Sequence, residues 1–161
     1  MKLLQPNEMV DSIYDINLSH LKLMGIKGII TDLDNTLLAW HSSEITPTVE
    51  QWISDVRNEG LKIAIVSNNS TARVEELSAQ LGGVICIAKA IKPRRGAFRS
   101  IAGQFNLAPH EIAVVGDQLF TDVLGGNRSG MYTILVNPIS KQEFIGTKIM
   151  RLAEKIFLRR S

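Results

Sequence analysis

The sequence predicts an α/β sandwich, with helices packed on both faces of a central parallel sheet. Three observations carry that expectation. Short runs rich in Ile and Val alternate with stretches of helical length. Each run ends in polar or turn residues, at the position where a strand would give way to a loop. The runs are almost continuously apolar, which is the pattern of strands buried on both faces. A β-α-β-α order of this kind closes into a parallel sheet with right-handed crossovers.

The elements follow in order. Residues 25–32 (GIKGIITD) form the first expected strand. Thr46 followed by Pro47 supplies an N-cap and a proline at the first helical position, so a helix is expected over 47–59, ending at Gly60. Residues 61–68 (LKIAIVSN) make the next strand, and 71–81 the next helix, stopped by Gly82 and Gly83. The strands 84–88, 111–117 and 131–137 then alternate with helices over 94–106 and 119–129. A last helix is expected over about 141–159. On it Lys148, Arg151, Lys155 and Arg159 form one stripe, and Ile145, Ile149, Leu152 and Ile156 form an adjoining apolar one. That pattern suits a helix docked on the sheet with a solvated outer face. It also suits one lying on an anionic membrane surface.

The 161 residues are enough for one domain with a real core, and 45% apolar with 21% charged residues are ordinary globular proportions. No repeat or linker divides the chain, so one domain over 1–161 is expected, with its chemistry within about 26–137. The single cysteine, Cys86, excludes an internal disulfide and a zinc site built from several thiolates. No apolar run approaches the roughly 18–20 residues that span a bilayer, and the first residues do not form a secretory signal, so a cytoplasmic protein is expected. The net charge of +2 argues against nucleic-acid binding. The charge is unevenly spread, however. Residues 141–161 carry Lys141, Lys148, Arg151, Lys155, Arg159 and Arg160 against Glu143 and Glu154, and the stretch from Lys89 to Arg99 has basic residues and no acid. Trp52 is expected in the core, and no histidine sits in a ligand or nucleophile constellation.

In open α/β sheets ligands bind beyond the carboxyl ends of the strands, and the chemically capable residues lie there. Asp32 ends the first expected strand and Asp34 lies just past it. Two like charges so close are costly unless a cation such as Mg²⁺ lies between them. A phosphoryl-transfer pair also accounts for them, with one acid attacking phosphorus and the other handling the leaving-group proton. A lone Asp there would read as a turn or a cap; two acids with Thr36 go further. Ser67, Asn68 and Asn69 place a hydroxyl and backbone N–H groups at a helix start, where phosphate can sit, although alone they would read as a turn. Lys92-Pro93 lies in the basic stretch, where a lone lysine is ordinarily solvated, and Lys89 competes with Lys92. Gly116 and Asp117, with Asp122 beyond, suit a metal ligand with an orienting partner behind a close backbone approach. The glycines at 125, 126 and 130 do not spell a dinucleotide fingerprint, and there is no Walker A sequence.

Taken together, these four motifs resemble the haloacid dehalogenase (HAD) superfamily of phosphotransferases. DLDNT matches its DxDxT form, IVSNN resembles the second motif, Lys92-Pro93 the third, and GDQLFTD the GDxxxxD form of the fourth. The stretches GIKGIITDLDNTLLAW and VVGDQLFTDVLGGNRSGMYTILVNPI are similar to the YqeG-type subfamily IIIA phosphatases and to the mitochondrial phosphatidylglycerophosphatases. The resemblance implies a capless HAD-like Rossmannoid three-layer sandwich and a Mg²⁺-dependent phosphomonoester hydrolase. Asp32 would be the nucleophile that forms an aspartyl-phosphate, and Asp34 the general acid and then the base. Mg²⁺ would sit between Asp32, the Asp34 carbonyl and Asp117. Thr36 would help hold Asp34, Ser67 and Asn68 would meet the phosphoryl group, Lys92 would neutralise charge and Asp122 would support it. Positioning and charge compensation are what phosphoryl transfer needs. The substrate implied is phosphatidylglycerophosphate, with a soluble phosphosugar, nucleotide or phosphoprotein as the alternative. A non-catalytic RNA- or ribosome-associated module is the rival from another class, and the retained acids argue against it.

Spacing speaks to access. Asp34 and Ser67 are 33 residues apart, and Ser67 and Lys92 25 residues apart. Each gap is filled by a helix and a strand, so neither holds a cap domain. An open cleft lacks a lid to exclude water, and capless HAD proteins favour large or surface-bound substrates or borrow a neighbouring subunit as lid. The partners expected are therefore a phosphorylated substrate, an anionic lipid surface or a second subunit.

Overall fold

The computed structural model describes the backbone of residues 2–140 and 145–160, and the side chains of residues 2–140 and 152–159. Six parallel strands form one sheet: β1 (Glu8–Val10), β2 (Gly28–Thr31), β3 (Lys62–Val66), β4 (Ile85–Ile87), β5 (Ile112–Gly116) and β6 (Tyr132–Val136), in the order β1-β6-β5-β2-β3-β4. The helices are α1 (Leu18–Leu23), α2 (Pro47–Asn58), α3 (Thr71–Gln80), α4 (Gly96–Phe105), α5 (Leu124–Arg128) and α6 (Ile145–Arg160). The five expected strands are all present. The sixth, β1, has only three residues and no apolar run, so nothing in its own sequence marks it; its pairing with β6, Glu8 opposite Ile134 and Val10 opposite Val136, makes it a strand.

Alternate residues of each inner strand enter opposite layers. Ile29, Ile63, Ile65, Ala113 and Val115 join Trp52, Ile53, Val56, Val74 and Leu77 of α2 and α3. Ile30, Ala64, Val66, Ile112 and Val114 join Phe98, Ile101 and Phe105 of α4 on the other face. Both faces are dry, which is why these strands are continuously apolar. Helix α2 begins as the sequence indicates: the Thr46 hydroxyl accepts the Val49 N–H at 3.3 Å, and Pro47 occupies the first turn.

From β2 the chain runs to β3 and β4 on one side, then returns to β5 and β6 on the other. The order therefore reverses at β2, and a crevice opens at the carboxyl ends of β2, β3 and β5. Residues 35–66 hold a loop, α2 and β3, and residues 68–91 hold α3 and β4 with their loops. Neither contains a cap.

Helix α6 returns to this same edge. Phe157 and Leu158 pack against Leu4, Leu119, Val123 and Leu135, and Glu154 is buried beside them. Of the apolar stripe of the sequence, the two described members face outward: Leu152 is 61% exposed and Ile156 50%. The side chains of Ile145, Lys148, Ile149 and Arg151 lie outside the described residues, as do Lys141 and Glu143. No described helix is long and apolar enough to cross a membrane.

Candidate active site

The loop after β2 turns at once. The amides of Leu37 and Leu38 both donate to the Leu33 carbonyl at 3.0 and 3.1 Å, and Asn35 takes the left-handed conformation at φ 62°. Asparagine tolerates that region better than most residues. This tight turn brings Asp32 and Asp34 to one cleft of about 460 Å³, shared with Ser67, Asn68, Asn69 and Lys92.

Lys92 is the centre of the charge arrangement. Its Nζ lies 3.0 Å from Asp32 Oδ1 and 2.6 Å from Asp122 Oδ1, with only 3% of the side chain exposed. Burial alone would pull this lysine down, but Asp122 and Asp32 outweigh it and hold the ammonium above its ordinary range. Lys89 is exposed and takes no part. Burial, then the neighbouring Asp32 charge, pushes the Asp122 carboxyl up to about 6, against the lowering by Lys92.

Asp122 reaches Lys92 because the chain after β5 forms a π-helical turn, Leu119–Val123, a geometry common at functional sites. The turn folds Asp122 back over Gly116, where a Cβ would lie 2.2 Å from its Cγ. Only glycine fits there. Asp122 Oδ2 also accepts the Gln118 N–H at 3.2 Å.

Two sequence expectations are corrected in detail. Thr36 does not hold Asp34: its hydroxyl donates to Asp117 Oδ1 at 3.0 Å. Asp34 is held instead by Asn69, whose Nδ2 donates to Oδ2 at 2.8 Å, and by Arg73, whose Nη2 donates to Oδ1 at 2.6 Å. The tight turn swings Thr36 toward β5 and leaves Asp34 facing the start of α3. Asn68 borders the cleft, but its amide grips the peptide of Lys92, accepting the Lys92 N–H at 2.8 Å and donating to the carbonyl at 3.4 Å. Ser67 Oγ accepts the Asn69 N–H at 3.0 Å, which leaves its own O–H to offer a phosphoryl oxygen.

Arg73, Trp40, His41, Gln118, Thr121 and Glu154 escaped the sequence reading. Trp40, His41, Gln118 and Thr121 all border the cleft. Glu154 of α6 accepts the Leu119 N–H at 2.6 Å and the Phe120 N–H at 3.3 Å, capping the π-helical turn. For Arg73 a signal existed: a cation in the first turn of a helix opposes the helix dipole and needs a partner.

Asp32, Asp117 and Asp122 each offer a carboxylate oxygen, all within 4.8 Å of one another. Three carboxylates close together, with one lysine paired to two of them, leave surplus negative charge in a largely buried place, and a hard divalent cation with oxygen ligands balances it. The donor set therefore fits Mg²⁺.

A carboxylate pair, a buried lysine and an acidic cluster at the switch point of a parallel sheet define a HAD-type phosphatase. The model of the mitochondrial PGP phosphatase family matches residues 1–140, and the chain belongs to that family. It is 42% identical over 157 residues to "Probable phosphatase YqeG" of Bacillus subtilis, covering 98% of this chain and 91% of that protein. It is 31% identical over 158 residues to phosphatidylglycerophosphate phosphatase 1, chloroplastic/mitochondrial, of Arabidopsis thaliana; there it spans 91% of this chain and 45% of the plant protein. In fold it resembles the cobalt-bound deoxy-D-mannose-octulosonate 8-phosphate phosphatase YrbI of Haemophilus influenzae, with TM-score 0.57 and 19% identity over 70% of this chain and 69% of that one.

Proposed function

We propose that this phosphatase is Mg²⁺-dependent, works through an aspartyl-phosphate on Asp32 and acts on phosphatidylglycerophosphate at a membrane surface. The observation that carries the chemistry is the Asp32–Lys92–Asp122 chain beside Asp34 and Asp117. Asp32 attacks phosphorus while the ester P–O bond breaks, and Asp34 gives its proton to the departing oxygen. Water then attacks the same phosphorus, Asp34 takes its proton, and the Asp32–phosphorus bond breaks. Lys92 balances charge on Asp32 throughout, and the Ser67 hydroxyl orients the phosphoryl group. Asp32, Asp117 and the Asp34 carbonyl would hold Mg²⁺, which when bound supplies charge stabilisation for the phosphoryl oxygens.

The substrate reading rests on the family and on the surface around the cleft. The named activity of the Arabidopsis relative is on phosphatidylglycerophosphate. The cleft has no cap, and Lys89, Ile91, Arg94 and Arg95 stand exposed on the loop that carries Lys92. On α6, Leu152, Lys155, Ile156 and Arg159 are exposed while Phe157 and Leu158 face inward. Mixed basic and apolar residues suit an anionic, surface-presented phosphate.

The test is phosphate release from phosphatidylglycerophosphate in vesicles and from a soluble aryl phosphate, with Mg²⁺ and after chelation. Asp32→Asn should abolish both activities with the fold intact, because an amide cannot attack phosphorus, and trapping the acid-stable protein should show phosphate on the wild type alone. Turnover by the Asp32 variant, or full activity after exhaustive chelation, contradicts the reading.

A further inference from the structure

Arg73 stands beside the reacting groups, and the steps above assign it nothing. It lies in the first turn of α3, a place that disfavours a cation, yet its side chain is only 16% exposed. Its Nη2 donates to two acceptors: Asp34 Oδ1 at 2.6 Å and the Ser42 carbonyl at 2.7 Å. Its Nε is buried with no partner among the described residues. The other oxygen of Asp34 is taken by Asn69. Both oxygens of the proton carrier are thus fixed by protein donors, and one of the two donors carries a charge. Ser42 belongs to the loop that brings Trp40 and His41 to the rim of the cleft. The same guanidinium therefore ties the acid to that loop.

We infer that Arg73 is a positioning residue for the proton transfer at Asp34, an inference that rests on the acid-base role proposed for Asp34. When Asp34 gives its proton to the departing oxygen, the carboxyl becomes a carboxylate. That new charge forms 2.6 Å from the guanidinium, in a pocket with little water to screen it. Charge-assisted hydrogen bonds are about twice as strong as neutral ones. Arg73 therefore favours the product of proton donation and keeps the carboxylate aimed for the water step, without itself touching substrate. Its contribution grows with the need for a proton: large when the leaving oxygen is a poor leaving group, small when it departs readily as an anion.

The experiment compares 4-nitrophenyl phosphate with phenyl phosphate on wild type, Arg73→Gln, Arg73→Lys, Asp34→Asn and the Asp34→Asn/Arg73→Gln double variant, all with Mg²⁺. General acid catalysis is worth about 10²–10⁴-fold. Arg73→Gln should lose about tenfold more kcat/KM on phenyl than on 4-nitrophenyl phosphate, a part of that whole. Arg73→Lys should recover part of the ratio, since it keeps the charge but not the planar fork. In the Asp34→Asn background, adding Arg73→Gln should change the ratio no further, because the two act as a unit. Equal losses on both substrates, or an undiminished effect of Arg73→Gln in the Asp34→Asn background, would overturn the inference. If Arg73→Gln does not fold, Arg73→Lys carries the same comparison, and an unchanged ratio there overturns it equally. The acid-base reading fails separately, if Asp34→Asn itself leaves the substrate ratio at the wild-type value.

Discussion

Thr36 shows how a residue of the right type can be tied to a different partner from the one its motif suggests. Its hydroxyl spends its proton on Asp117 Oδ1, so it fixes a carboxylate of the acidic cluster and leaves Asp34 to others. Partners of metal-ligating side chains set the orientation of those ligands, and their loss costs about 10–100-fold in metal affinity or activity. Thr36→Val, close in shape but without the donor, should therefore raise the Mg²⁺ concentration for half-maximal activity by about that factor. A Mg²⁺ titration of turnover checks it, and at saturating Mg²⁺ most of the activity should return. Asn68 carries a related lesson, since its amide is spent on both sides of the Lys92 peptide. It places the lysine that Asp32 and Asp122 surround.

At the scale of elements, two glycines separate packing from chemistry. Gly116 ends β5 under the π-helical turn, where a Cβ would meet Asp122 at 2.2 Å. Gly126 lies in α5 against the sheet, where a Cβ would meet Thr133 Cγ2 at 2.6 Å and Val114 Cβ at 3.1 Å. Overpacking of this kind costs about 1–3 kcal/mol. Gly116→Ala and Gly126→Ala should therefore both lower the urea midpoint, by similar amounts. Their activities should diverge: the first displaces Asp122 from Lys92 and loses turnover even when folded, whereas the second keeps the turnover of its folded fraction. Urea melts read beside kcat decide the matter, and equal kcat in the two variants would show that the turn does not govern Lys92.

At the scale of the whole molecule, α6 joins the catalytic edge to the outer surface. Glu154 caps the turn that carries Asp122, and Phe157 and Leu158 pack beneath, so Lys155, Ile156 and Arg159 are held outward. Each basic residue near an anionic membrane is worth roughly 1 kcal/mol, screened by salt. Reversing Lys155 and Arg159 to glutamate should lower binding to vesicles of phosphatidylglycerol at low salt. It should lower turnover of phosphatidylglycerophosphate in those vesicles and spare a soluble aryl phosphate. Vesicle sedimentation with paired turnover measures this. Equal loss on both substrates would make α6 a purely structural part, and no loss on either would make its outer face ordinary solvated surface.

The sequence by itself determined the parallel sheet, the order of its main strands and helices, and the addresses of Asp32, Asp34, Ser67, Lys92, Asp117 and Asp122. These were legible because burial on both faces forces continuous apolar strands, and because ligands in such sheets sit where those strands end. Only the tertiary structure decided which donor serves which carboxylate. The tight turn from Leu33 to Leu38 sends Thr36 to Asp117 and leaves Asp34 to Asn69 and Arg73, from 35 and 39 residues along the chain. It also decided that β1 is a strand and that Glu154, Phe157 and Leu158 face inward from the last helix while Leu152 and Ile156 face out. Such partners are chosen by three-dimensional proximity, and local periodicity, propensity and spacing hold no record of that.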